Sequence, residues 1–324
     1  MSMTDHRMRS ARVARILVLV ALAACLAACS ARKTPDVAPV DSDVAAMRAK
    51  AVADWKKGNA ADALAAYDGL VAAGVASAVD RNNRGVANLA AGNFKAAQED
   101  FAAAIAEAPD VAAHHFNMGL ALFALERFDE CIRENDEALR LDPKMGMAAN
   151  NRGMAWLRLN EPGIAVEDFT HALKIDPRLA VAYANRGGQW LQMGLYGEAG
   201  SDFDRALKLD PNNADVLNNR GVTFMESKDY GKAVALFTQA IRKRPERAHY
   251  YFNRALALER DCKFELAIND YTRAIARMSD FAEAYANRGA LRMTMDDRQR
   301  GLSDLERACD LGLCQQYEAY RDRM

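Results

Sequence analysis

Proline is scarce in this chain, eight in 324 residues, and with alanine abundant that scarcity points to helices. An excess of either charge is also missing. Forty-three Lys and Arg face 44 Asp and Glu, for a formal net charge of −1. Counterion release on nucleic acid needs a concentrated basic surface, so nucleic acid is not an expected partner. There is no phosphate-cradling glycine loop, no HExxH helix and no Ser/His/Asp arrangement. The five histidines form no site, and the adjacent His114 and His115 point in different directions on a helix. No catalysis, cofactor, metal or small-molecule substrate is expected. What remains is a chain that is 51% hydrophobic and can fold over most of its length.

The N-terminus stands apart. Arg7, Arg9, Arg12 and Arg15 form a basic lead, and Val13 to Ala28 is almost wholly apolar apart from Arg15. That run falls short of the roughly 20 residues a membrane span needs, so it reads as an export signal. Its exit, Leu26-Ala27-Ala28-Cys29, resembles the lipobox of bacterial lipoproteins, and Leu22-Ala23-Ala24-Cys25 is a second match directly before it. Cys29 leaves the longer apolar core and a polar Ser30 behind it, so it is the preferred lipidation site. The resemblance implies cleavage after residue 28, acyl chains on Cys29, and a periplasm-facing protein anchored to the outer membrane. Residues 29–43 are polar with two prolines and read as a flexible tether. Fully extended, at roughly 3.3–3.6 Å per residue, it reaches roughly 45 Å.

Beyond the tether the sequence repeats. Asn83, Asn117, Asn151, Asn185, Asn219, Asn253 and Asn287 follow one another at a constant interval, which does not slip over the seven copies. Next but one after each Asn sits a small residue: Gly85, Gly119, Gly153, Gly187, Gly221, Ala255 or Gly289. Later in every copy, again at a fixed place, sits alanine, as Ala104, Ala138, Ala172, Ala206, Ala240, Ala274 and Ala308. Phe101, Phe169, Phe203, Phe237 and Tyr271 supply an aromatic to most copies, and proline closes five, at Pro109, Pro143, Pro177, Pro211 and Pro245. Apolar spacing in both halves predicts two antiparallel helices per copy, with turns at Gly92-Asn93, Gly194 and Lys228-Asp229. Small residues let the backbones approach and the aromatic fills the space beside them. A lone hairpin cannot bury its apolar face, so neighbours must stack.

This pattern resembles the tetratricopeptide repeat family from about Val44 to Leu313. The resemblance implies an all-α, right-handed solenoid of antiparallel helical hairpins. Its expected divisions are a degenerate first hairpin at 44–77, seven repeats at 78–315 and a C-terminal cap at 316–324. Ser279 in place of the closing proline is expected to loosen one joint. In the family the Asn position faces a concave groove, and the series is similar to the asparagine ladder of O-GlcNAc transferases, where amides grip a peptide backbone. The alternative is an amide that ties one hairpin to the next. Phe116, Phe123, Met154 and Phe252 are the other expected partner-binding residues, with Leu120, Leu157, Leu191, Met225 and Leu256 on the same face. The row Asn82, Phe116, Asn150, Ala184, Asn218, Phe252 and Ala286 holds no lysine, so a carboxylate clamp is not expected.

Two further patterns complete the reading. Arg84, Arg152, Arg186, Arg254 and Arg288 are followed, always at the same offset, by Asp100, Asp168, Asp202, Asp270 and Asp304, which predicts Arg–carboxylate bridges within hairpins. Met118 is followed instead by Glu134, and Arg220 by Leu236. Cys309 and Cys314 flank a short loop and are expected to form a disulfide in an oxidising compartment, while Cys131 and Cys262 read as small core residues. The expected function is an outer-membrane-anchored interaction scaffold that binds extended or helical segments of envelope proteins. The alternative is a structural part of a pilus or polysaccharide export apparatus.

Overall fold

The structure, a computed structural model, describes residues 42–315, 317 and 318. The signal, Cys29, most of the tether and most of the expected C-terminal cap lie outside the described residues. Sixteen α-helices and no strand occur among those described. They pair as eight hairpins: α1 Ser42–Lys56 with α2 Ala60–Ala72, α3 Ala78–Ala91 with α4 Phe94–Glu107, α5 Ala112–Ala124 with α6 Phe128–Leu141, and α7 Gly146–Arg158 with α8 Pro162–Ile175. The series continues with α9 Ala180–Gln192 and α10 Tyr196–Leu209, α11 Ala214–Glu226 and α12 Tyr230–Lys243, α13 Ala248–Arg260 and α14 Phe264–Arg277, and α15 Ala282–Thr294 and α16 Arg298–Asp310. Two compact units divide within α9, one ending at Ala182 and the other starting at Tyr183. No helix among the described residues is long and apolar enough to cross a membrane.

Each turn between paired helices uses one left-handed residue. These are Gly58, Gly92, Glu126, Asn160, Gly194, Lys228, Cys262 and Asp296, spaced at the same interval as the Asn series. The left-handed step lets the next N–H reach back to a carbonyl of the first helix, as Asn93 does to Asn88 at 2.8 Å and Asp229 to Phe224 at 2.9 Å. The second helix of each central hairpin stops just before its proline, because proline excludes the α region from the preceding residue. Asp142 accordingly has φ −135° and ψ 91°, and Asp176 has φ −130° and ψ 97°. Met278, which precedes Ser279, has φ −142° and ψ 93°. The joint without proline therefore keeps the backbone conformation of the others.

Packing inside a hairpin rests on a glycine and a ring. A Cβ at Gly85 would stand 2.6 Å from the Phe101 ring, and one at Gly221 would stand 2.7 Å from Phe237. The absent side chain is what lets each phenyl group bury completely, at 0% exposure. The first hairpin follows the same plan with Ala51 and Tyr67, both buried. Its first helix starts at Ser42, which takes the last two tether residues into the fold. Asp43 in that first turn complements the positive end of the helix.

Candidate functional site

Partners were expected along the first helix of each hairpin, where the Asn series lies. Several of those amides are spent on neighbours. The Asn117 side-chain nitrogen donates to the Asn82 side-chain oxygen at 2.9 Å, and Asn253 donates likewise to Asn218 at 2.9 Å. Asn287 reaches the Tyr271 hydroxyl on the preceding hairpin. These contacts tie hairpin to hairpin, the second of the two roles open to the series. The two amide–amide ties arise where the preceding first helix offers an acceptor: Asn82 and Asn218 do so, whereas Phe116 stands in the same row. Asn151 follows Phe116. It is 3% exposed, and neither atom of its amide has a hydrogen-bond partner among the described residues. Asn83, Asn185 and Asn219 are half-buried, and Asn219 accepts from Asn218 at 3.2 Å.

The apolar members of the expected site divide the same way. Phe116 and Phe123 are 3% and 4% exposed and belong to the core that spans hairpins two to four. They are not open to a partner as expected, because α5 is buried at every residue from His114 to Phe123 and Trp55 of α1 packs against the same core. A helix buried all round has no face left for solvent. Met154 and Phe252 are half-buried, as are Met147, Leu157, Val222 and Leu256. Phe252 packs against Phe281, ring centroids 4.7 Å apart, and against Tyr271 at 5.7 Å.

Charged groups work mainly as clasps. Arg152 donates to Asp168 at 2.9 and 2.5 Å, Arg186 to Asp202 at 2.8 Å twice, and Arg254 to Asp270 at 2.6 and 2.8 Å. Arg84 and Asp100, and Arg288 and Asp304, form the same bridge. The bond to Asp168 holds the Arg152 guanidinium above its usual pKa. The same arginines also reach back by an equal step, onto the preceding hairpin: Arg84 to Asp68, Arg152 to Asp136, Arg254 to Thr238 and Arg288 to Thr272. Arg220, which has Leu236 where the acid should be, turns to this backward partner, gripping Asp204 at 2.9 and 3.0 Å, and also donates to the Thr223 hydroxyl at 2.8 Å. Sequence reasoning missed these backward partners. Their signal was present, since Ala102 precedes Met118 where the other copies have Asp or Thr.

The clasp that lacks arginine is rebuilt from histidine. Glu134 meets His115 Nδ1 at 2.7 Å, and the other ring nitrogen meets the Pro109 carbonyl at 2.9 Å. Burial lowers the pKa of the neighbouring His114, outweighing its contact with the Ala108 carbonyl. In the second unit burial raises the Tyr271 pKa, helped by donation from its hydroxyl to Glu259 at 2.6 Å. Burial also pushes the Cys131 thiol up to about 12. Cys309, in the last turn of α16, is bonded to Cys314 just beyond the helix end. None of these groups converges on a reacting centre; they hold hairpins together.

A tetratricopeptide repeat family profile matches residues 82–143, 190–246 and 223–283. Those segments carry tetratricopeptide repeats. No curated protein matches it. Among solved structures it is similar to pilF of Pseudomonas aeruginosa, at 20% identity and a TM-score of 0.59, covering 66% of this chain and 97% of that one. It is also similar to the Cut9 and Hcn1 assembly of APC/C, at 15% identity and a TM-score of 0.63, covering 82% of this chain and 52% of the matched one. YrrB, described as a tetratricopeptide repeat protein with an unusual peptide-binding site, matches at 18% identity and a TM-score of 0.50, covering 59% and 98%. At these identities the likeness is one of fold. Tetratricopeptide repeats present stacked hairpin faces to proteins or peptides, and this all-α repeat fold suits an interaction scaffold.

Proposed function

We propose that this chain is a lipid-anchored scaffold of the bacterial outer membrane that binds segments of envelope proteins along the first helices of its hairpins. The observation that carries the reading is the half-buried apolar stripe on those helices. Met147, Met154 and Leu157 form it in the first unit, and Val222, Phe252 and Leu256 in the second. Unbranched methionine adapts to different apolar surfaces, which suits a site that takes more than one segment. Half-buried Asn219, on the same helix as Val222, supplies an amide beside it. The anchor rests on the lipobox at Cys29.

Two measurements test the two halves of the reading. Intact mass of the membrane-extracted protein should match a triacylated chain beginning at Cys29 and should revert to an unmodified form in Cys29→Ser. A lipid-free mass from membranes would remove the anchor. Affinity purification of the extracted protein should recover an envelope protein that is lost with Met154→Asp or Phe252→Asp while helicity is kept. Unchanged recovery with both variants would remove the first-helix face as the binding site.

A further inference from the structure

Most turns between paired helices are polar, as in Asn160-Glu161, Lys228-Asp229 and Asp296-Asp297. The turn of hairpin five instead reads Met193-Gly194-Leu195-Tyr196, and its three large side chains are 44%, 43% and 38% exposed. Contiguous exposed apolar groups on a folded surface commonly mark an interaction site. Immediately beyond them the chain gives up bulk. Gly200 occupies the place of Ile132, Val166, Val234 and Ile268 in hairpins three, four, six and seven.

The missing side chain has a structural consequence. A Cβ at Gly200 would stand 2.7 Å from Nη1 of Arg220, so glycine makes room for that arginine. Arg220 is the clasp whose forward acid is lost, and it turns back to Asp204 with its guanidinium 3.9 Å from the centroid of the Phe224 ring. A cavity of about 560 Å³ opens beside it, with Tyr196, Gly200, Ser201, Arg220, Phe224 and Ser227 in its wall. The charges at this cavity are already matched. Asp204 accepts from Nε and Nη2 of Arg220, whose Nη1 donates to Thr223, and Asp229 pairs with Lys232 at 2.7 Å while accepting from the Lys232 backbone. A charged guest would find no free counter-charge and would have to be desolvated without return. Two aromatic rings, a glycine floor and two serine hydroxyls fit a flat, neutral ring with one polar atom.

We propose that this cavity and the Met193–Tyr196 ridge form a second docking site, which takes a neutral aromatic side chain, tryptophan or tyrosine, presented by a protein partner. Its wall takes Arg220 and Phe224 from α11 but none of the stripe residues, so the two readings are tested with separate variants. Tyrosine and tryptophan are the side chains that most often anchor interfaces in such pockets.

The test uses the full chain and N-acetyl-tryptophanamide as the probe, followed through backbone amide shifts in a ¹⁵N spectrum. Saturable shifts are expected at Gly197, Gly200, Ser201 and Ser227, with affinity on the order of millimolar for so small a ligand. Gly200→Val, which restores the residue of hairpins four and six, should weaken binding at least tenfold. The pair Met193→Ser with Leu195→Asp, which installs the hairpin-six residues Ser227 and Asp229 in their equivalent places, should weaken it as well. Both changes have a precedent in the same chain, and the spectrum itself reports whether the fold is kept. Scattered shifts, binding unchanged in both variants, or tighter binding of a charged analogue such as tryptamine or indole acetate would each overturn the proposal.

Discussion

Arg152 and Arg220 hold the same place in their hairpins, yet truncating them should have very different effects. Arg152 holds Asp168, whose side chain is 7% exposed. Arg152→Ala leaves that carboxylate buried without a counter-charge, a change that costs about 3–5 kcal/mol in buried pairs. The Arg152 side chain is itself 23% exposed, so water will reach the acid in the variant and the lower end, about 3 kcal/mol, applies. Arg220 holds Asp204, whose side chain is 59% exposed. Such a pair contributes about 0–1 kcal/mol, and the stacking on Phe224 adds about 0.5–1 kcal/mol. A loss near ~1 kcal/mol is expected for Arg220→Ala. Repeat arrays open locally, so native-state hydrogen exchange is the suitable assay. Opening of α7 and α8 should rise on the order of 100-fold in Arg152→Ala, and opening of α11 and α12 by less than about tenfold in Arg220→Ala. Equal effects would refute the view that burial of the acid, and not the presence of the ion pair, sets the contribution of a clasp. Replacing both partners, with Arg152→Met and Asp168→Leu, should recover most of the loss.

Three other expectations follow from single sites. Asn135 is fully buried where other hairpins carry a phenyl ring, and its side-chain oxygen has no hydrogen-bond partner among the described residues. Asn135→Leu, the residue that hairpin eight uses as Leu305, should therefore stabilise the first unit by about 1–3 kcal/mol in urea titration, and a loss would contradict this. His114 has a lowered pKa because it is buried, so the folded state binds a proton less tightly than the unfolded one. Its contribution is present above the unfolded value of about 6.5 and is lost as pH falls below it. Melting at pH 7.5 and 5.5 should show a larger drop for the wild type than for His114→Gln. Cys131, buried and pushed up to about 12, should resist iodoacetamide at pH 8 while exposed Cys262 reacts, as peptide mass mapping would show.

The hairpin register was legible because three signals agreed at one period: a small residue, a ring and a closing proline. The forward clasps were legible because one fixed offset, the step from Arg84 to Asp100, joins facing positions on two antiparallel helices. Their backward halves follow the same offset with the opposite sign, but they become visible only when Thr is allowed beside Asp as the acceptor. The Asn series shows where sequence reasoning stops. Its constancy fixed the position and left the role open, because the role depends on the neighbour: Asn82 and Asn218 turn the following amide into a tie, and Phe116 does not. Phe116 and Phe123 follow the same helical spacing as Met154 and Phe252. Only the stacking of Trp55 and the neighbouring hairpins decides which of them is covered. The lipobox and tether are read from sequence alone, and the last two tether residues proved helical.

The central claim is that the first-helix face, and not the outer surface of the second helices, receives protein segments. The most direct measurement places a photo-crosslinking residue at Met154, and separately at exposed Ile164 on α8 as a control, in the full chain within intact cells. The account expects a discrete protein adduct from position 154, lost when Met147→Asp is added, and none from position 164. An adduct from 164 alone, or equal adducts from both, would contradict it.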